Sequence, residues 1–425
     1  MISKSQDIPK PTIVYLYFLS SFNKITKTRS IKKIYNIITG QSITYTDKFE
    51  ELLPKILNQQ IEKIEPCNIN KIIQILTVEL LFRGIIVPEQ QRQTEEEYLL
   101  DNILIREQNS KFFKSNYINI SQLSSTKLES KESKNILFVG IPYDIGATKP
   151  GTRYGPEILR SKSNISLFRS DNSFILDLTT TINIFEYKNI FDLGNIHLPP
   201  NKLINSLNKV EYISSILPHY LTPFFIGGDH LFTLPIIRGL YKRRKNFTII
   251  QFDHHLDVQL WGDFNNNKPK KLTTPSHANF ISWIKHEMPE IEIIQIGVHA
   301  YQSINDENFV QIKTYLKHIG KQITDIEILL GNMVGVLEKL PKNQDVYITL
   351  DVDVLSSFYM NLTGYPAAVG IGIRDLLQLI NNVCKNNNLI GVDIMEFGQS
   401  NKHDIHQQNA NLIITIILEI LKNIK

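Results

Sequence analysis

Three short segments combine carboxylates and imidazoles at spacings that suit divalent cations: Gly227-Gly228-Asp229-His230, Asp253-His254-His255-Leu256-Asp257 and Asp351-Val352-Asp353. On extended backbone, residues i, i+2 and i+4 share a face. Asp253, His255 and Asp257 are therefore expected on one side, Asp351 with Asp353 on another, and His254 and Val352 facing away. Four carboxylates brought together without cations would repel and raise one another's pKa. Two divalent ions balance that charge. Oxygen-rich coordination with two imidazoles and no thiolate favours Mn²⁺, with Fe, Co and Ni also compatible. Two such ions roughly 3.5–4 Å apart can share a solvent molecule and lower its pKa from ~16 toward ~7, which is hydrolytic chemistry. Each segment taken alone is more often a turn after a strand than a metal site, so their ordered combination carries the argument.

The elements that must position these residues are short apolar runs, each closed by Gly, Asp or His and followed by a helical stretch. They lie at 135–141, 223–228, 247–252, 291–297, 345–350 and 389–394. Such runs suit strands buried on both faces, so residues 135–425 are expected to form one α/β domain around a parallel sheet. Open parallel sheets bind ligands at the carboxyl ends of their strands, which lets ligands a hundred residues apart in sequence converge.

With 425 residues, two or three domains are expected. Residues 108–134 are polar and rich in Ser, Lys and Glu, and read as a linker. Ahead of it, Ile31, Ile34, Ile37 and Ile38, then Phe49, Leu52, Leu53, Ile56 and Leu57, then Ile69, Ile72, Ile73 and Leu76 recur at helical spacing. Residues 1–107 are accordingly expected to be a small, mostly helical domain, with a helix–turn–helix-like element starting at Arg29. The composition, 42% hydrophobic and 21% charged, excludes disordered and fibrous chains. A net charge of +4 gives no reason to expect nucleic acid or a membrane as partner. The early apolar run from Thr12 to Leu19 is too short to span a bilayer. Two cysteines, Cys67 and Cys384, cannot build a disulfide framework, which fits a reducing cytoplasm.

Over residues 135–425 the motifs resemble the ureohydrolases, the family of arginase, agmatinase, guanidinobutyrase and formiminoglutamase. The matching segments are Gly227 to His230, Asp253 to Asp257, Ser276-His277-Ala278-Asn279-Phe280, Asp351-Val352-Asp353 and Val392-Asp393-Ile394-Met395-Glu396. Residues 149–160 are similar to the run that follows the first strand in agmatinases. Departures are His254 where the family has Ala, Ala278 where it has Gly, Ser356-Ser357 where it has Asp-Pro, and His299. The resemblance implies a three-layer α-β-α domain with a mainly parallel sheet, two Mn²⁺ ions, and a homotrimer or homohexamer. It implies that His230, Asp253, Asp257 and Asp351 hold one ion and Asp253, His255, Asp351 and Asp353 the other. By the same token Glu396 holds substrate N–H groups, Asp353 helps protonate the leaving nitrogen, and His277 shuttles protons with solvent. His254 reads as a core or supporting histidine, and His299 as a strand-end residue on the functional edge.

The substrate implied is a small guanidino compound such as agmatine, from which urea is released. Arginine, or an arginyl residue of a peptide, is the alternative, although the Asn and Ser that hold an amino-acid head group in arginases have no match here. The loop from Gln259 to Lys271 is a candidate lid or pocket wall, with Trp261, Asp263 and Tyr301 as candidate tail contacts. A reading of another class is a ligand-sensing regulator that uses the catalytic fold beneath an N-terminal DNA-binding domain.

Overall fold

Runs of Ile, Phe, Val and Leu too short for buried helices build the central sheet. In the computed structural model its main strands are β1 (Lys134–Ile141), β2 (Lys188–Ile196), β3 (Leu221–Gly227), β4 (Thr248–Phe252), β5 (Glu292–Val298), β6 (Lys321–Thr324), β7 (Asp345–Asp351) and β8 (Asn388–Met395). They lie in the order β6-β5-β4-β7-β8-β3-β1-β2, every neighbouring pair parallel. Leu104–Ile105 adds an antiparallel edge to β2, and Asn116–Tyr117 pairs with β2 in parallel. All six runs expected as strands are strands of this sheet. The structure describes residues 17–28, 31–36, 38–45, 47–57, 68–88, 90–91, 95–106, 111–123, 133–145, 150–165, 175–199, 202–304, 306–331, 333–398 and 403–424. Thr12, Arg29, Ile37 and Cys67, named above, and position 149 of the run 149–160 lie outside them.

Successive residues such as Ile249 and Ile250 are both fully buried, so both faces of the sheet are covered. One face packs with α1 (Gly155–Ile165), α6 (Ile373–Asn386) and α7 (His403–Asn423). Ile250, Phe252, Ile348 and Leu350 join Leu159, Leu376 and Ile413 there in one core. A second packed group of helices is α2 (Leu203–Ile216), α3 (Thr233–Arg243), α4 (Phe280–Glu287) and α5 (Phe309–Ile319). On the sheet face opposite Ile250 the residues turn polar toward the strand ends: Gln251, Gln295, Thr349 and Asp393 are all fully buried. The chemistry grows from that row.

The chain divides into two compact units, residues 1–103 and 104–425. The first is not mostly helical. Helices at Asp47–Leu57 and Asn68–Phe82 follow the expected periodicity, but Ile31–Asn36 is the middle strand of an antiparallel sheet with Asn23–Thr28 and Ser42–Tyr45. Ile34 stands in register between Ile25 and Ile43, with Ile34 buried against Tyr45, Ile56 and Leu80. Over six residues an i, i+3 pair of isoleucines cannot distinguish a helix from a strand, and pairing with the two flanking strands decides for the strand. Among the described residues, the stretch expected to open a helix–turn–helix is therefore a strand over Ile31–Asn36.

Part of the expected linker is also structured. Phe112 and Phe113 are buried, and the Phe112 N–H donates to Asp192 Oδ2 at 3.0 Å. The same carboxylate takes Arg160 Nε at 2.8 Å, and the Arg160 guanidinium lies over the Phe112 ring at 4.7 Å. Two aromatic residues in a Ser/Lys-rich window thus tie it to the second unit. Residues 107–110 and 124–132 lie outside the described residues. No helix among the described residues is long and apolar enough to cross a membrane.

Candidate metal centre

β3, β8, β7 and β4 are adjacent in the middle of the sheet, and their carboxyl ends supply every residue of the expected cluster except His277. At the tip of β3, a Cβ on Gly228 would lie 1.9 Å from the Tyr143 carbonyl oxygen, and one on Gly227 1.8 Å from Met395 Sδ. Only glycines allow that close approach. Asp229 then caps the next turn by accepting from the Leu231 N–H at 2.9 Å, which turns His230 inward.

Asp253 and Asp351 sit one strand step beyond the buried Gln251 and Thr349, on the same sheet face, as alternation requires. Beyond them the backbone departs from the extended form assumed from sequence. β4 ends at Phe252, Asp257 has φ 49°, and Val352–Val354 is a 3-10 turn capped by Asp351, which accepts from the Asp353 N–H at 2.9 Å. The carboxylates converge through these turns rather than by strand alternation.

His230 Nδ1 lies 3.1 Å from Asp253 Oδ2, 3.3 Å from Asp257 Oδ2 and 3.2 Å from Asp351 Oδ2. It faces three carboxylates, yet no hydrogen bond is aligned with it. His255 Nδ1 lies 3.1 Å from Asp353 Oδ2 and 3.6 Å from Asp253 Oδ1. Two candidate ion positions follow, one among His230, Asp253 and Asp351 and one among Asp253, His255 and Asp353. Asp253 belongs to both, and its two oxygens face opposite imidazoles.

Electrostatically, Asp253, Asp257, Asp351 and Asp353 outnumber the two imidazoles of His230 and His255 that can carry positive charge beside them. Burial and the neighbouring Asp353 and Asp253 push the Asp351 carboxyl well above the ordinary range. Burial and Asp253 push Asp257 to about 8. Burial opposes charge on His255, but hydrogen bonding to Asp253 and Asp353 outweighs it and lifts the imidazole to about 12. No lysine or arginine among the described residues forms an ion pair with these carboxylates. Buried oxygen donors, an imidazole nitrogen aimed at them without an aligned partner, and a charge deficit all fit divalent cations.

Behind His230 runs a support that the sequence analysis did not assign. Thr349 Oγ1 donates to Asp393 Oδ1 at 2.6 Å, and lies 2.9 Å from His230 Nε2. The hydroxyl has one proton and gives it to the carboxylate, so it accepts from Nε2–H and leaves the Nδ1 lone pair facing the cluster. Thr233 and Tyr347 hydroxyls donate to Asp393 Oδ2 at 3.0 and 2.8 Å. Gln251 Nε2 donates to Asp253 Oδ2 at 2.7 Å and approaches Asp257 Oδ2 at 3.3 Å. Polar residues inside the apolar runs were the available signal.

A cavity of about 390 Å³ opens onto the cluster, with His230, His255, Asp257, Asp351, Asp353 and Glu396 at its floor. Glu396 has φ 63°, and its Oε1 accepts from the His230 N–H at 2.8 Å. Burial and Asp229 push its carboxyl well above the ordinary range. His277 lines the same cavity, its Nδ1 buried and without a hydrogen-bond partner. Of the candidate tail contacts, Trp261 lines the cavity, whereas Asp263 and Tyr301 do not. His299 also lies off the cavity, with Nδ1 2.8 Å from Asp325 Oδ2. The Gln259–Lys271 loop is pinned at its base, where Gln259 Nε2 donates to the Lys271 carbonyl at 3.0 Å. A larger hollow of about 800 Å³ lies at the amino ends of β4 and β7, lined by Lys245, Glu290, Asn343 and Lys385 among others, and among the described residues it gathers no imidazole.

An α/β fold with buried carboxylates and imidazoles gathered at its central strand tips defines a metal-binding hydrolase of the open-sheet type. The arginase family model matches residues 134–422, and the chain belongs to that family, a family of ureohydrolases. Agmatinase of Bacillus subtilis is 30% identical over 301 residues, covering 70% of this chain and 94% of that protein. Guanidinobutyrase of Pseudomonas aeruginosa is 28% identical over 269 residues, covering 61% of this chain and 77% of its own. Among solved structures, proclavaminate amidino hydrolase from Streptomyces clavuligerus matches with a TM-score of 0.59 at 22% identity, over 75% of this chain and 97% of that one. Trypanosoma cruzi formiminoglutamase with Mn²⁺ matches with a TM-score of 0.54 at 17% identity, over 74% and 98%.

Proposed function

We propose that this chain is a binuclear, manganese-dependent ureohydrolase that releases urea from agmatine or a close guanidino relative with no acidic group on its tail. His230, Asp253, Asp257 and Asp351 would hold one ion, and Asp253, His255, Asp351 and Asp353 the other. The oxygen-rich donor set supports Mn²⁺. When bound, the ions supply Lewis acidity and activated water at neutral pH.

The rest is done by side chains. Glu396, desolvated and held by the His230 N–H, gains from a cationic guanidinium and orients its N–H groups by charge-assisted hydrogen bonds. As the C–O bond to the incoming water oxygen forms and the C–N bond to the tail breaks, Asp353 passes a proton to the departing nitrogen. That nitrogen leaves as an amine. His277, on the cavity wall with a free ring nitrogen, exchanges the remaining proton with solvent.

The observation that carries the substrate reading is the cavity lining. Leu256, Val258, Leu260 and Trp261 offer an apolar wall for a methylene chain, and Gln302 and Ser303 offer neutral polar groups. Among the described residues, no lysine or arginine lines it to pair with a carboxylate. Such a wall suits agmatine better than arginine or a guanidino acid. Urea release by Mn²⁺-loaded protein from agmatine, arginine and 4-guanidinobutyrate tests this, with the highest kcat/KM expected for agmatine. Preference for 4-guanidinobutyrate or arginine would overturn the substrate assignment, and no urea from any of the three would overturn the ureohydrolase reading.

A further inference from the structure

A second cluster stands beside the proposed ion pair and takes no part in it. One donor atom from each of His254, His299 and Asp325 lies within 4.8 Å of the other two. His254 follows β4, His299 follows β5, and Asp325 opens the short helix Asp325–Leu329 directly after β6. The three therefore come from the tips of three neighbouring strands at one edge of the sheet.

Asp325 is fully buried, and its Oδ1 accepts from the Ala300 and Ile326 N–H groups at 3.0 and 2.7 Å. Its other oxygen is aimed at His299 Nδ1, 2.8 Å away. The His254 and His299 rings stack with centroids 5.0 Å apart at 30°. A His–Asp hydrogen bond alone accounts for His299 and Asp325. It leaves His254 unexplained, because His254 Nδ1 is buried with no hydrogen-bond partner, an arrangement that native interiors rarely tolerate. Both histidines are also departures of this sequence from the ureohydrolase pattern.

We propose that His254, His299 and Asp325 bind a third divalent ion of the zinc class. Two imidazoles and one carboxylate make a nitrogen-rich site with a position left for solvent, suited to Zn²⁺ more than to the oxygen-preferring Mn²⁺. The His299 side chain is 32% exposed, so an ion can enter from solvent. The site braces the proposed catalytic loop: the His254 carbonyl accepts from the His299 N–H at 2.9 Å, and the His254 N–H points at Asp353 Oδ1 from 3.4 Å.

The test counts metal. Full-length protein is saturated with Mn²⁺, exposed to Zn²⁺, desalted and assayed for total metal per chain by plasma mass spectrometry; exchange of Zn²⁺ into the pair leaves the total unchanged. Three ions are expected in the wild type and two in His254→Ala and His299→Ala. His254→Ala introduces the residue usual in the resembling family, which guards against a folding failure. Zn²⁺ should also raise the melting temperature of Mn²⁺-saturated wild type more than that of His254→Ala. Two ions in the wild type, both lost in Asp253→Ala and both kept in His254→Ala, would overturn the third site while leaving the pair intact. A single ion that His254→Ala removes would uphold the third site and overturn the pair.

Discussion

Asp393→Asn tests whether the residues behind His230 set its chemistry. The change is nearly isosteric, and in the wild type Asp393 is a carboxylate at pH 8, burial having raised it only to about 6 against the opposing effects of His230 and the Thr349, Tyr347 and Thr233 hydroxyls. An asparagine must turn its NH₂ toward one side. If it faces Thr349, the threonine proton is driven toward His230 Nε2, and the imidazole carries its hydrogen on Nδ1, where the lone pair should be. If it faces the other way, the bonds from Thr233 and Tyr347 are lost. Either choice costs about 1–3 kcal/mol for the unsatisfied buried groups. Supporting residues of this kind change metal affinity ~10–100-fold, or about 1.4–2.8 kcal/mol. Mn²⁺ titration in chelator buffers should therefore show the ion on the His230 side weakened by that factor and the ion on the His255 side nearly unchanged, with Thr349→Val behaving alike. Unaltered affinity for both ions, with only a lower melting temperature, would refute the relay and leave the hydroxyl cluster as packing.

Replacing Asp253 by Ala removes the carboxylate shared by both positions; metal content should fall from two of these ions toward none, with turnover down ~10³-fold or more, as expected for losing several kcal/mol of charge stabilisation. Trp261→Ala trims the apolar wall and should raise KM for agmatine ~10-fold with kcat little changed, by loss of about 1.5 kcal/mol of burial. Arg160→Met leaves Asp192 buried without its guanidinium, at a cost of about 3–5 kcal/mol in denaturant unfolding. Lys209 is buried, donates to the His197 carbonyl at 2.9 Å, and has its pKa depressed by burial from 10.5 to about 8. Between those values the unfolded chain holds the extra proton, so stability should climb with rising pH, by at most ~3 kcal/mol relative to Lys209→Met.

Six strands of the sheet were legible because they are runs of apolar residues with both faces buried, whereas β2 and β6, broken by Lys, Asn, Asp and Gln, were not. Nor were the short edge elements. Leu104–Ile105 and Asn116–Tyr117 carry two residues each and exist only because β2 offers them an edge. Ile31 and Ile34 misled for a related reason, since a strand of six residues is shorter than two helical turns and the hairpin partners that decide it lie elsewhere in sequence.

The site shows a different limit. Alternation grouped Asp253, His255 and Asp257 on one side and Asp351 with Asp353 on another; in the structure Asp253 and Asp351 share the sheet face of Gln251 and Thr349, and past the strand ends, at Asp257 and Asp353, the chain is no longer extended. Asp257 and Glu396 both take left-handed backbone, a conformation that costs non-glycine residues of order 1–3 kcal/mol and persists only where neighbours impose it. Here they do: the Asp257 carbonyl accepts from the Ile281 N–H at 3.2 Å, the Glu396 N–H donates to Gly228 at 2.8 Å, and the Glu396 carboxylate is taken by the His230 N–H. Each of these partners belongs to another strand tip or to the helix beyond it. The carboxylates are therefore held in place by the assembled sheet and not by their own segments, which is why residue types in the three motifs pointed to the chemistry while their local spacing misjudged the geometry.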